Sequence, residues 1–186
     1  MARRQQFPVV SRILHWTMAV MVLAMLFIGA GMVASLADYH WLVSIHKPLG
    51  ISILLLVTIR LINRIINPPP PLPAEIAALD RLAINVTVVI LYTLMFALPL
   101  VGWGMLSAGG YPIVLYGPLS LPAILPRDPM LYSVLRTTHT VLAYLLFATF
   151  LAHFSGAMMH ALIFRDGVFE SMASIRGRTS EPTAAD

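Results

Sequence analysis

Four long apolar stretches dominate this 186-residue chain and limit what it can fold into. A helix needs about 20 apolar residues to cross the hydrocarbon core of a bilayer, and each stretch reaches that length. The expected spans are Ile13 to Leu36, His46 to Ile66, Leu82 to Leu106 and Thr138 to Phe164. Only 11% of the residues are charged, whereas a soluble domain carries about a quarter. The sequence therefore predicts an all-α integral membrane four-helix bundle, with residues 1–176 as a single domain and residues 177–186 as a polar, disordered tail.

Basic residues are concentrated on one side of this bundle. Nine arginines lie before the first span, around the second connection or after the fourth span: Arg3, Arg4, Arg12, Arg60, Arg64, Arg81, Arg165, Arg176 and Arg178. The opposite side carries Lys47, Arg127 and Arg136. The positive-inside rule then places both termini in the cytoplasm. The net charge of +4 is small and scattered in short loops, which indicates membrane orientation and no nucleic-acid partner.

A cleaved secretory signal is the competing interpretation of the first apolar stretch. Ser35-Leu36-Ala37 resembles a cleavage site, but the apolar run before it is longer than a usual signal core. We therefore expect an uncleaved first helix.

Two connections have a composition that predicts their form. The proline-rich segment 67–73 cannot be helical and is expected to be a stiff, extended turn. The segment 107–136 is rich in glycine and proline and too apolar for a solvated linker. We expect it to lie over the outer end of the bundle, with room for one short interfacial helix. Pro99, followed by Gly102 and Gly104, should bend or loosen the third helix near that end.

Histidines within the apolar stretches supply the chemistry. His139 and His153 are fourteen residues apart, which on a helix gives the same face and roughly 21 Å of separation. His46 opens the second span at the depth of His139, and His15 opens the first span at the depth of His153. Two imidazoles can fill both axial positions of a haem iron, a ligation suited to electron transfer. The depths predict an outer haem between His46 and His139 and an inner haem between His15 and His153.

The ordinary alternative is that each histidine only hydrogen-bonds to a neighbouring helix. Four histidines at two matching depths argue against coincidence. A small residue also follows each of them by one turn, where a flat macrocycle needs room: Ala19, Gly50, Ala143 and Ala157. The chain has no cysteine, so thiolate-bound haem and iron–sulfur clusters are excluded.

Two further residues have two interpretations each, and a third has one. Arg60 lies fourteen residues after His46, so it faces the inner haem level, either to neutralise a haem propionate or as a snorkelling residue. His160 lies two turns beyond His153 and is a candidate propionate or quinone contact, or a solvated interfacial residue. His40 is expected on the surface. No metalloprotease pair, phosphate-binding loop or nucleophile elbow is present.

Nearly the whole chain resembles the bacterial cytochrome b561 family. The resemblance rests on motifs that occur in order along the sequence: Arg12-Ile13-Leu14-His15-Trp16, His46-Lys47-Pro48-Leu49-Gly50 with Arg60-Leu61, Ala97-Leu98-Pro99-Leu100-Val101-Gly102, Tyr111-Pro112, Tyr116-Gly117, and His139, His153, His160 with Arg165-Asp166.

The resemblance implies a four-helix protein of the bacterial inner membrane with two haem b groups, and His15, His46, His139 and His153 as iron ligands. It also implies electron exchange with the ubiquinone pool, with superoxide or a periplasmic redox protein as donor. The basic residues Lys47, Arg127 and Arg136 would suit an anionic donor. Two alternatives remain open. The chain could be the cytochrome b anchor subunit of a larger dehydrogenase or hydrogenase, or a haem-free four-helix transporter or assembly factor.

Overall fold

Four long helices form the body of the protein. The computed structural model describes residues 6–74 and 76–173. Helix α1 spans Val9–Ala34, α2 Tyr39–Ile66, α3 Ala78–Ala108 and α4 Pro129–Met159. All four are long and apolar enough to cross a membrane, which confirms the predicted all-α four-helix class. The tail expected at residues 177–186 lies outside the described residues.

The helices pack in chain order around an apolar centre. Close backbone contacts join α1 to α2, α2 to α3 and α3 to α4, whereas few join α4 to α1 or α2. The buried centre is formed by side chains from all four helices: Met18, Val22, Ile53, Val57, Leu94, Met95, Leu98 and Leu146. Many large apolar side chains point outward instead, among them Phe27, Leu55 and Val89. An apolar exterior of this kind is suited to lipid.

All four helices begin earlier than the apolar pattern predicts, and α2 and α4 do so by the largest margin. α2 begins at Tyr39, so His46 lies inside it and does not open it, and Pro48 also falls within the helix. α4 begins at Pro129, so His139 likewise lies well inside its helix. The start of α4 is fixed by Asp128, whose carboxylate accepts hydrogen bonds from the backbone N–H groups of Met130 and Leu131. Such a cap gives the unpaired backbone N–H groups of the first turn a hydrogen-bond acceptor, whether or not that turn is apolar.

The connection between α3 and α4 contains a β-hairpin where the sequence suggested a short helix. Strand β1 (Ile113–Tyr116) pairs antiparallel with β2 (Leu119–Leu121). Gly117 takes a positive φ of 53° in the turn between them, a conformation that favours glycine. We call the end of the bundle that carries this hairpin the hairpin end. The opposite end, where α1 begins and α4 finishes, is the terminal end.

The chain leaves α4 through an unusual turn at the terminal end. Residues His160–Phe164 form a π-helical turn, closed by the bond from the Arg165 N–H to the His160 carbonyl at 2.8 Å. Arg165 then adopts a left-handed conformation with φ of 51°. A short helix α5 (Val168–Ala173) follows. The Phe7 N–H donates to the Ser171 carbonyl at 3.1 Å, which ties α5 to the start of the chain.

Candidate haem sites

The terminal end brings together two of the predicted ligands from different helices. His15 on α1 and His153 on α4 face each other, with ring centroids 6.3 Å apart and ring planes at 64°. They are distant in sequence, so only the fold creates the pair. The predicted pairing by depth is therefore present in the geometry.

The hairpin end contains the second pair. His46 on α2 and His139 on α4 have ring centroids 6.2 Å apart and ring planes at 65°. The separation and the angle almost repeat those of the first pair. Since His139 and His153 share one helix, the two pairs are stacked along α4 by roughly 21 Å.

These separations fit an iron atom between the rings. A metal–imidazole bond of about 2.0 Å on each side places the two ring centroids roughly 6 Å apart. A direct hydrogen bond between two imidazoles would be a rival explanation, but no such bond joins either pair in the described part of the chain. At the hairpin end, the Nδ1 atoms of His46 and His139 are also buried without a hydrogen-bond partner. The four residues therefore fit bis-histidine haem at two levels.

Glycine on α3 makes room for one of these rings. A Cβ atom added at Gly102 would lie 3.3 Å from Cε1 and 3.5 Å from Nδ1 of His139. The sequence pattern of small residues one turn after each histidine did not reveal this contact, because Gly102 acts from a different helix. On α1, a Cβ at Gly29 would meet nothing within 4 Å. Gly29 lies fourteen residues after His15 and so reaches the level of the hairpin-end pair.

Arg60 lies at the terminal-end pair, as its spacing from His46 predicted. Its Nη2 atom is 2.7 Å from Nδ1 of His15, and its guanidinium stacks 5.6 Å from the centroid of the Tyr92 ring. A guanidinium can only donate, so Nδ1 of His15 accepts in this arrangement. A neutral His15 then carries its own proton on Nε2 and has no free lone pair for a metal. His15 can bind iron only after Arg60 has released Nδ1.

A cleft with both polar and apolar lining residues opens beside Arg60 at the terminal end. It is lined by Ser11, Asn63, Arg64, Asn67 and Tyr92 as well as Arg60. The Asn63 side-chain amide donates to the Ser11 hydroxyl at 2.7 Å, which joins α1 to α2 there. Arg60 was expected near a haem propionate, whereas the sequence indicated only membrane orientation for Arg64.

His160 is buried and held by a carboxylate. It is 8% exposed, and its Nδ1–H donates to Oδ2 of Asp166 at 2.6 Å. The other carboxylate oxygen of Asp166 accepts from the Val168 N–H at 3.1 Å. The π-helical turn makes this contact possible, since it brings residue 166 back towards residue 160. His160 is thus no freely solvated residue, and it stands apart from the His15–His153 pair.

The hairpin end carries the three basic residues expected there. Lys47 donates to the Pro112 carbonyl at 3.3 Å, and Arg127 lies against Gly110. Arg127 also lines a cavity of about 330 Å³ beneath the hairpin, together with Ser107, Tyr111 and Leu125. Arg136 is exposed on α4. His40 is exposed as expected, although it lies in the first turn of α2 and not in a loop.

Comparison with known proteins agrees with this geometry. A family model described as prokaryotic cytochrome b561 matches residues 6–174. The chain is 31% identical over 172 residues to "Cytochrome b561 homolog 2" of Escherichia coli (strain K12), covering 90% of this chain and 91% of that protein. It is 26% identical over 132 residues to "Probable superoxide oxidase CybB" of Yersinia pestis, covering 71% of this chain and 74% of that protein. The chain therefore belongs to the prokaryotic cytochrome b561 family, and is a multi-pass membrane cytochrome of the b type that works in electron transfer.

Proposed function

We propose that the chain holds two haem b groups and passes electrons across the bacterial inner membrane. One haem would be held by His15 and His153 at the terminal end, the other by His46 and His139 at the hairpin end. The observation that carries this proposal is the pair of matched histidine separations, 6.3 and 6.2 Å, on one shared helix. Haem supplies reversible one-electron chemistry, while the protein supplies ligation, spacing and a dry interior.

The hairpin end is the proposed site of electron entry, on the periplasmic side. The cations at this end in the described part of the chain would attract an anionic donor such as superoxide; they are Lys47, Arg127 and Arg136. The relative named "Probable superoxide oxidase CybB" supports the choice of this donor. Two superoxide ions would each lose one electron and leave as dioxygen.

The terminal end is the proposed site of electron exit, on the cytoplasmic side with both chain termini. Ubiquinone would take up both electrons and two protons and leave as ubiquinol. His160, held by Asp166 at 2.6 Å, is the candidate contact for the quinone. Arg60 is the candidate counter-ion for a haem propionate, because it already reaches His15.

Purified protein and a soluble ubiquinone analogue test this function directly. We expect superoxide to drive quinone reduction with two superoxide ions consumed per quinol formed. His153→Ala should abolish quinone reduction, while the remaining haem should still be reduced by superoxide. Quinone reduction by superoxide that is equally fast with and without the protein would reject the proposed activity.

The same preparation separates this function from an anchor-subunit role. A large soluble redox protein that co-purifies in a fixed ratio, together with no response to superoxide, would favour the anchor. The haem-free transporter suggested as an alternative by the sequence is at odds with membership of a cytochrome family.

A further inference from the structure

Arg12 is a buried cation without a partner among the described residues. The residue is 9% exposed, and its Nε and Nη1 atoms are buried with no hydrogen-bond acceptor. A guanidinium taken out of water without a counter-charge is strongly unfavourable. Such a group is therefore expected to meet an anion when the protein is fully assembled.

Protein, not solvent, covers Arg12. Helix α5 is tied to the start of α1 on both sides of this residue. The Phe7 N–H donates to the Ser171 carbonyl at 3.1 Å, and the Trp16 indole N–H donates to the Met172 carbonyl at 3.3 Å. An anion that reaches Arg12 must therefore come from within the bundle or from beneath α5.

Arg12 lies on the same helix as His15, one member of the terminal-end histidine pair. It precedes His15 by three residues on α1, which places both on adjoining parts of one helix face. It also lies about one turn closer to the terminal end. Arg60 approaches the same imidazole from α2, at 2.7 Å from Nδ1. Arg12 and Arg60 thus place two cations at this end of the bundle, and an anion there would be attracted to both.

No carboxylate in the described residues forms an ion pair with either arginine. Asp166 is engaged by His160 and by the Val168 N–H. Glu170 has a buried Oε2 atom without a hydrogen-bond partner. It forms no ion pair within 4.0 Å of Arg12 in the part of the chain that the structure describes. Among the described residues, Glu170 is thus the internal competitor, and an experiment must separate it from an external anion.

We propose that Arg12 and Arg60 together bind the carboxylates of the haem held by His15 and His153. This inference rests on the proposed function and adds Arg12 to its haem site. Haem b carries two propionate carboxylates on one edge of the ring, and guanidinium is the side chain best shaped to bind carboxylate in a bidentate manner. With two carboxylates present, Arg60 has an acceptor other than Nδ1 of His15, and that imidazole becomes free to bind iron.

Redox titration of the purified, haem-loaded full-length protein tests the role of Arg12. A nearby cation favours the reduced iron, which carries one positive charge less, so its removal lowers the midpoint potential. We expect Arg12→Gln to lower the midpoint of the haem that His153→Ala removes and to leave the other midpoint unchanged. Arg12→Lys, which keeps the charge, should give a smaller shift in the same direction. Arg165→Gln is the matched control, because it removes an exposed cation from the same end and should shift neither midpoint.

Infrared difference spectra identify the anion itself. The protein is loaded with haem labelled with ¹³C at the propionate carboxylates, and the labelled bands are followed on reduction. Arg12→Gln should shift these bands, whereas Glu170→Gln should leave them in place. A shift of the labelled bands in Glu170→Gln alone, or unchanged midpoints and bands in Arg12→Gln, would overturn the assignment of Arg12. Wild-type protein without haem would instead overturn the proposed function, and this inference with it.

Discussion

A histidine within an apolar bundle has two polar ring nitrogens that both need a partner. His160 meets this need internally, since Asp166 takes its Nδ1–H at 2.6 Å. His46 and His139 do not, because their Nδ1 atoms are buried without a partner. His160 therefore has a protein partner, whereas one ring nitrogen each of His46 and His139 lacks a hydrogen-bond partner among the described residues. Iron between the paired rings would take one nitrogen of each.

His160 is predicted to serve quinone reduction and not haem binding. We expect His160→Gln to keep both haems and their spectra, because His160 stands apart from the pair at His15 and His153. Quinone reduction should fall by about a hundredfold or more, in the range typical for loss of a positioned proton-transfer group. Steady-state quinone reduction and the haem spectrum of one preparation provide the measurement.

Asp166→Asn is the matched variant for this prediction. It keeps the shape of the side chain but removes the charge that orients His160, and it should weaken quinone reduction less than His160→Gln. Loss of a haem in either variant, or full quinone reduction in both, would contradict the assignment of His160.

The helices provide space for the proposed haems as well as the histidines that would bind them. α4 carries one histidine of each pair, and its backbone stays apart from α1 and α2, which carry the partners. α3 packs closely on α4 instead and offers Gly102 to His139. The bundle is therefore tight on one side of α4 and spaced on the other, where flat cofactors would lie between facing histidines.

A bulky side chain at position 102 is predicted to damage the hairpin-end site alone. Gly102→Leu would drive side-chain atoms into the His139 ring, since even a Cβ atom lies only 3.3 Å from it. We expect haem content to fall from two to one per chain, while Gly102→Ala should retain most of the second haem with a shifted spectrum. Ala152→Leu, on an exposed face of α4, is the control and should keep two haems. Equal haem content in Gly102→Leu and the control would refute this account of the site.

The hairpin element is predicted to control the approach of the donor. Arg127 lines the cavity of about 330 Å³ beneath it, so Arg127→Glu reverses a charge near the proposed entry point. Reduction of the protein by superoxide should slow by about tenfold at low ionic strength, because steering of an anion is lost. The difference should shrink at high salt, since screening removes the steering in both proteins.

Stopped-flow reduction with superoxide and with a neutral reductant distinguishes charge from damage. The neutral reductant should act equally fast on wild-type protein and Arg127→Glu. A loss of rate that is the same for both reductants and independent of salt would mean that the substitution disturbs the fold instead.

At the scale of the whole molecule, apolar length and histidine spacing predicted the architecture and the pairing. Four spans, the shared face of His139 and His153, and the position of Arg60 all follow from helical repeat. The starts of α2 and α4 did not. Asp128 caps α4 before its apolar stretch begins, and α2 begins at Tyr39 and tolerates Pro48 inside it. Gly117 was a local signal for the hairpin turn, since glycine readily adopts the positive φ found there. The contact of Gly102 with His139 depends on how α3 packs on α4, and that of Asp166 with His160 depends on a π-helical turn. Neither can be predicted from the spacing of residues along a regular helix.

The orientation of the molecule in the membrane remains a prediction with a direct test. The chain has no cysteine, so single cysteines can be introduced without background. Ser120→Cys in the hairpin should react with a membrane-impermeant maleimide in intact cells. Ala77→Cys, just before α3 at the terminal end, should react only after the membrane is broken. The reverse pattern would place the termini outside and contradict the proposed direction of electron flow.

Haem content by pyridine haemochrome assay, with reduced-minus-oxidised spectra, tests the central claim most directly. Wild-type protein should contain two haem b groups per chain. His153→Ala and His46→Ala should each contain one, with different residual spectra, because each variant breaks a different pair. The double variant should be colourless. Haem content that is unchanged in the single variants, or absent from the wild-type protein, would contradict the claim that these paired histidines hold iron.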